Sequence, residues 1–238
     1  MNCHLASLRD FIRNFDKNLV YMRTYFSAIF LFLCMLTIAQ QKPQFWDDIQ
    51  KFKQLDIEKP PMQNAILLIG SSSFTMWQDV GNYFPEKKII NRGFGGSSLK
   101  DLNIYADDLL KPYNPKQILI YCGENDFSAD ETLDPKVAFD RYKTFYATIR
   151  KYYPNIQVDY ISIKMSPSRE RLWKQFEQTN AMIKKFMKRE KNASYIDITK
   201  VMLDKNGHVR KDIFLEDMLH MKPSGYVLWS KKMAPYLK

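Results

Sequence analysis

A three-layer α/β/α sandwich built on a mostly parallel five-stranded sheet is the fold this sequence predicts, and three observations point to it. Five short runs are apolar throughout, as strands buried on both faces must be. Stretches of helical periodicity lie between them, the alternation that gives parallel strands joined by crossover helices. The chain has 238 residues, 45% of them hydrophobic, which is enough for one sizeable core. A single globular domain is expected, and no internal repeat or low-complexity segment interrupts it.

Taken in order, the first 39 residues read as an export signal rather than as part of the fold. From Met22 a short basic start leads into an apolar run, Tyr25 to Ile38, followed by small and polar residues. That run is 14 residues long, short of the roughly 20 that cross a bilayer as a helix. A cleaved signal peptide is expected, with Thr37 and Ala39 as the small residues and the cut after Ala39. The 21 residues before Met22 are unusually long for the start of a signal peptide and point to Met22 as the true start. Cys34 is not read as a lipidation site, because Leu33 before it is not small. The mature chain keeps 32 basic and 24 acidic side chains, a net charge of +8 in 199 residues. An exported protein, periplasmic or extracellular, with no membrane span left after cleavage, is the expectation.

Residues 40–62 form a polar lead-in containing Pro60-Pro61, and the domain proper is expected over 63–238. Its strands are read at Ala65 to Gly70, Lys87 to Gly93, Gln117 to Gly123, Ile156 to Ile163 and Ala193 to Ile198. Asp134-Pro135 suits an N-cap followed by proline in the first turn, and Ala138, Tyr142, Phe145, Ile149 and Tyr152 then recur every three or four residues. Leu172, Phe176, Ile183 and Phe186 repeat the pattern in the next helix.

Composition excludes several chemistries. Three cysteines (Cys3, Cys34, Cys122) have none of the paired spacings of a zinc site or a disulfide framework, and only Cys122 outlasts signal cleavage. The formal charge of +10 comes from lysines scattered along the chain, so a solvated basic surface is expected and no nucleic-acid partner. Three histidines (His4, His208, His220) leave few places for imidazole chemistry.

In open sheets of this class ligands bind beyond the carboxyl ends of the strands. Strand one is followed there by Ser71-Ser72-Ser73, strand two by Gly93-Phe94-Gly95-Gly96 and strand three by Gly123-Glu124-Asn125-Asp126. Ser72 could be a nucleophile on a tight strand-to-helix turn, and equally such a turn could be a plain loop with an N-cap. A phosphate loop would need a lysine that is missing, and GFGGSS has serine where a dinucleotide fingerprint ends in glycine. A nucleophilic serine needs a base. His208 lies in a surface turn, whereas His220 follows Asp217 by three residues, where a carboxylate can hold one ring nitrogen. Gly96 could offer a backbone N–H and Asn125 a side-chain amide to a developing oxyanion, or each could simply serve its loop.

GSSSFTMW from Gly70, NRGFGG from Asn91, YCGEND from Tyr121 and DMLH from Asp217 occur in the order of the blocks that mark the SGNH hydrolases, the GDSL esterase and lipase family, which this sequence resembles. The resemblance runs from about Ala65 to the carboxyl-terminal helix. It implies a flavodoxin-like sheet, Ser72 as nucleophile, His220 as base and Asp217 as orienting acid. Ser72, Gly96 and Asn125 would form the oxyanion hole, and no metal or cofactor is required. Ser71 stands where the family name implies aspartate, a change that bears on local hydrogen bonding more than on the reaction.

The expected function is therefore hydrolysis of a carboxylic ester through an acyl-enzyme, with a small-molecule or carbohydrate ester as partner. Short loops after each strand leave no evident lid, which favours a short acyl group such as acetyl. A lysophospholipase or thioesterase of the same family is the alternative enzyme, and a glycan-binding module without turnover is the alternative outside enzymes. Phe74, Trp77, Phe94 and Phe127 lie near the motif residues, either lining a substrate pocket or packed in the core.

Overall fold

Burial on both faces is what turns the five apolar runs into strands. The computed structural model describes residues 21–23, 25–27 and 42–238, and the chain divides into two compact units, 1–46 and 47–238. In the first unit residues 21–23 and 25–27 are helical. The rest of the expected signal peptide, with the cut after Ala39, lies outside the described residues.

The strands of the second unit are β1 (Ile66–Gly70), β2 (Ile89–Gly93), β3 (Gln117–Tyr121), β4 (Gln157–Ile161) and β5 (Ala193–Ile196). They form one sheet in the order β2-β1-β3-β4-β5, with every neighbouring pair parallel. Every position of β1 and β3 is buried, as their unbroken apolar character requires. The third and fourth runs leave the sheet sooner than their apolarity suggests. At Ile163 the Asn180 side chain takes the place of a strand partner, accepting from its N–H at 2.8 Å and donating to its carbonyl at 2.9 Å.

Helices α1 (Trp46–Glu58), α2 (Ser72–Thr75), α3 (Val80–Tyr83), α4 (Leu99–Ile104), α5 (Ala106–Leu110), α6 (Glu124–Ala129), α7 (Pro135–Tyr152), α8 (Trp173–Met187) and α9 (Pro223–Met233) surround this sheet. Asp134 caps α7 by accepting from the Lys136 N–H at 2.7 Å, and Ala138, Tyr142, Phe145 and Ile149 form its buried face. Tyr152 at its end is only partly buried and donates to Asp107 at 2.5 Å. Alternation along the strands gives two cores. Ile66, Leu68, Leu119 and Tyr121 pack in a cluster with Trp77, Tyr226 and Trp229, while Tyr160 meets Tyr142 of α7 with ring centroids 4.8 Å apart. Residues 47–58 of α1 belong to the same unit as the sheet, with Ile49 buried and Asp56 paired to Arg92 and accepting from the Tyr113 hydroxyl at 2.7 Å.

The sheet order places a topological switch between β1 and β3, whose connections leave in opposite directions. Gly70, the last residue of β1, lies there against the main chain of β3. A Cβ added at Gly70 would sit 2.0 Å from the Tyr121 carbonyl oxygen, and neither backbone can yield without breaking strand pairing. Gly70→Ala is expected to destabilise the protein by about 3 kcal/mol or more, read as a lowered midpoint in thermal or urea unfolding. An unchanged midpoint would show that the two strands can part at this point without cost.

Candidate active site

Ser72 opens α2 immediately beyond β1, with Ser71 as the N-cap residue. The turn is pinned on three sides. The Ser71 N–H donates to the Tyr121 carbonyl at 3.0 Å, the Phe94 N–H to the Gly70 carbonyl at 2.9 Å, and the Asn91 amide to the Phe74 carbonyl at 2.7 Å. Asn91 also accepts from the Gly93 N–H at 3.0 Å, so it staples α2 to the end of β2. The three serines differ in surroundings. Ser71 and Ser73 are buried, while Ser72 retains some exposure.

His220 is 148 residues away in sequence and 3.1 Å away in space, measured from Nε2 to Ser72 Oγ. Its Nδ1 lies 2.6 Å from Asp217 Oδ2. An ionised carboxylate only accepts, so Nδ1 carries the proton and Nε2 is left to accept from the serine hydroxyl. The loop that presents them is tightly turned. Met218 sits in the left-handed region at φ 53°, and Asp217 Oδ1 accepts from the N–H groups of both Leu219 and His220 at 2.9 Å. Partial burial works to raise the Asp217 carboxyl, but these two N–H groups and the imidazole outweigh it and hold the group at about 2. This hydrogen-bond order lets an imidazole take a proton from a hydroxyl while a fixed negative charge supports the cation that forms.

Gly96 follows β2 in a turn with φ 85°, a conformation that suits glycine. Asn125 lies in α6 beyond β3 and reaches back across the switch point. Its Nδ2 donates to Ser71 Oγ at 2.8 Å and to the Ser97 carbonyl at 2.9 Å. Both amide hydrogens therefore have acceptors at rest, and an oxyanion above Ser72 would compete with the Ser71 hydroxyl for one of them. The neighbouring Asp126 is structural. It accepts from the Leu99 N–H at 2.8 Å and pairs with Arg141 at 2.7 Å, tying the segment after β2 to the segment after β3.

The other histidine of this unit stands elsewhere. His208 lines a cleft of about 760 Å³ together with Trp173 and Tyr195, and neither Ser72 nor His220 belongs to it. Phe74, Trp77, Phe94 and Phe127 are fully buried and belong to the core, so they do not line an open pocket. Among the described residues no group of three or more His, Cys, Asp or Glu side chains could hold a metal ion, and no helix is long and apolar enough to cross a membrane.

A charge cluster that no sequence motif marks lies beneath the site. Glu124, between Gly123 and Asn125, is buried and paired with Lys164 at 2.5 Å and Arg169 at 3.3 Å. Burial works against its charge, but the two cations prevail and hold the Glu124 carboxyl below the ordinary carboxylate range. Nothing local could have revealed these partners, which lie 40 and 45 residues further along the chain.

The family profile for the GDSL-like lipase/acylhydrolase family matches residues 69–228 of this chain. No curated protein matches it in sequence. Among solved structures, a Streptococcus pneumonia protein provisionally described as a platelet activating factor is similar at 20% identity, over 89% of this chain and 99% of the other, with a TM-score of 0.69. A Bacteroides fragilis protein provisionally described as an acylhydrolase is similar at 17% identity, over 82% and 97% of the two chains, with a TM-score of 0.70. The family 3 carbohydrate esterase of Clostridium thermocellum is similar at 13% identity, over 73% and 94%, with a TM-score of 0.56. At such identities these likenesses show the fold, which all four chains share.

Proposed function

Because this chain belongs to the GDSL-like lipase/acylhydrolase family and is a carboxylic ester hydrolase, we propose that it is an exported serine esterase that removes a short acyl group, acetyl foremost, from a carbohydrate. The observation that carries the reading is the unbroken hydrogen-bond path from Ser72 Oγ through His220 to Asp217. In this mechanism Ser72 attacks the ester carbonyl as its proton passes to His220 Nε2. The developing oxyanion is received by the Ser72 and Gly96 N–H groups and by the Asn125 amide. His220 then protonates the departing alcohol. Water, deprotonated by the same nitrogen, releases the acid and frees the serine.

Two further observations support the short acyl group and the sugar. The four aromatic side chains nearest the motifs are committed to the core, which leaves them no part in a long apolar channel. One chain with the same fold is a carbohydrate esterase. Export rests on the apolar run from Tyr25 to Ile38 and the small residues that follow it.

The test compares p-nitrophenyl esters of increasing acyl length, and acetylated oligosaccharides, on wild type and Ser72→Ala. The expected profile peaks at acetate and falls by about 10-fold or more in kcat/KM by octanoate, as a site suited to a short acyl group would require. A profile rising with chain length would replace the acetyl esterase by a lysophospholipase or lipase. Absence of turnover on every ester by folded wild type would favour a binding module. Mass analysis of the protein recovered outside the cytoplasm checks export and the cut after Ala39.

A further inference from the structure

The amide of Asn125 has three hydrogen-bond partners, and together they fix which way it faces. Ser97 offers a carbonyl at 2.9 Å, which can only accept, and Arg169 offers Nη2 at 2.8 Å, which can only donate. The orientation with Oδ1 toward Arg169 and Nδ2 toward Ser71 and Ser97 is the one that satisfies both. Arg169 is itself placed by Glu124, whose Oε2 accepts from Nη1 at 3.3 Å and whose Oε1 accepts from Lys164 at 2.5 Å and from the Tyr121 hydroxyl. Lys164 and Glu124 neutralise each other, so Arg169 is the surplus cation of the cluster, and it lies directly behind the amide.

The turn that carries Arg169, Pro167–Leu172, touches the other half of the site as well. The Ser168 N–H donates to the Met218 carbonyl at 3.1 Å, in the loop that presents Asp217 and His220. One short turn thus braces both the amide and the imidazole, although it contains none of the motif residues.

We propose that Arg169 is the positioning residue for the oxyanion donor, holding the Asn125 amide with its N–H groups toward Ser71 and Ser97 and polarising it by donating to Oδ1. The inference rests on the esterase reading above and adds a residue to it. A guanidinium on the amide oxygen draws electron density from the nitrogen and strengthens the N–H as a donor to a negative oxygen. Its effect belongs to the transition state, where the oxyanion exists, and is absent from substrate binding.

The test is a double-mutant cycle between Arg169→Ala and Asn125→Ala in the full chain, with kcat and KM measured on p-nitrophenyl acetate. Asn125→Ala alone should lower kcat by roughly 10²-fold to 10³-fold, the usual cost of one oxyanion donor. Arg169→Ala should lower kcat by about 30-fold with KM changed by less than about 3-fold, and in the Asn125→Ala background it should cost no more than about 3-fold. Added methylguanidinium should restore part of kcat to Arg169→Ala and none to the double variant. Lys136→Ala, which removes an exposed pair with Asp140 on α7, is the control expected to leave activity unchanged. If Arg169→Ala does not fold, Arg169→Gln carries the same cycle, keeping the length and removing the charge. Equal losses in both backgrounds, a loss confined to KM, or wild-type kcat in Arg169→Ala would each overturn the proposal. Absence of ester turnover by folded wild type, or full activity of Ser72→Ala, would instead overturn the serine-esterase reading beneath it, so the two failures are distinguishable.

Discussion

Ser72→Ala is expected to lower kcat for ester hydrolysis by roughly 10⁴-fold to 10⁶-fold and to leave the thermal unfolding midpoint within about 2 °C of wild type. The kinetic effect is large because the hydroxyl is the atom that would form the acyl bond, and nothing else at the end of β1 can replace it. Ser71 Oγ is engaged by the Asn125 amide and Ser73 Oγ lies 3.3 Å from Lys164 Nζ, both in buried surroundings. The stability effect is small because Ser72 is partly exposed and the interaction its hydroxyl gives up is the hydrogen bond to His220. Parallel measurements on Ser71→Ala and Ser73→Ala separate the three serines. A variant of Ser71 or Ser73 as inactive as Ser72→Ala, yet folded, would move the nucleophile along the turn.

Asp217→Asn should cost roughly 10³-fold to 10⁴-fold in kcat with little change in KM. An asparagine amide placed where Oδ2 now stands offers N–H to a ring nitrogen that itself carries a proton, which favours the wrong tautomer and leaves the imidazolium unsupported. The pH behaviour follows from the carboxyl value of about 2, below the ordinary 3.8. The native loop favours the ionised form, so the contribution of Asp217 to holding the loop is fully present above about pH 4 and is lost as pH falls through 2. Amide exchange reads this directly. Protection of the Leu219 and His220 N–H groups should be constant from pH 7 to pH 4 and disappear as pH approaches 2, and in Asp217→Asn it should be reduced at every pH. Loss of protection near pH 4 in wild type would mean that the carboxylate is not held as its contacts imply.

Sheet and strand positions were legible because burial on both faces leaves so direct a mark, as in the run from Ala65 to Gly70. Helix α7 was legible for a related reason, since a cap at Asp134, proline behind it and a stripe of apolar residues all act locally. Strand ends were less so. Asn180 takes over the hydrogen bonding of Ile163 from 17 residues away, and no pattern around Ile163 announces it. In the site, the spacing of Asp217 and His220 is short enough to read from the chain. The Glu124, Lys164 and Arg169 cluster is not, because ion pairs between distant segments leave no periodicity and each residue alone looks like ordinary surface charge. The buried state of Phe74, Trp77, Phe94 and Phe127 was equally open, since an aromatic side chain beside a motif suits a pocket wall and a core alike.

The 148-residue separation of Ser72 and His220 also sets when in the life of the chain the hydrogen bond between them can form. During synthesis the serine emerges early, and the histidine follows only after β2, β3, β4, β5 and the helices between them. Closing so long a loop is slow and waits on the parallel sheet, whose strands pair only through distant segments. Until then the hydroxyl lacks the imidazole that, on the proposed mechanism, would activate it. On the proposed mechanism, appearance of activity during refolding would report the closing of this long-range contact, to be read against the recovery of helical signal.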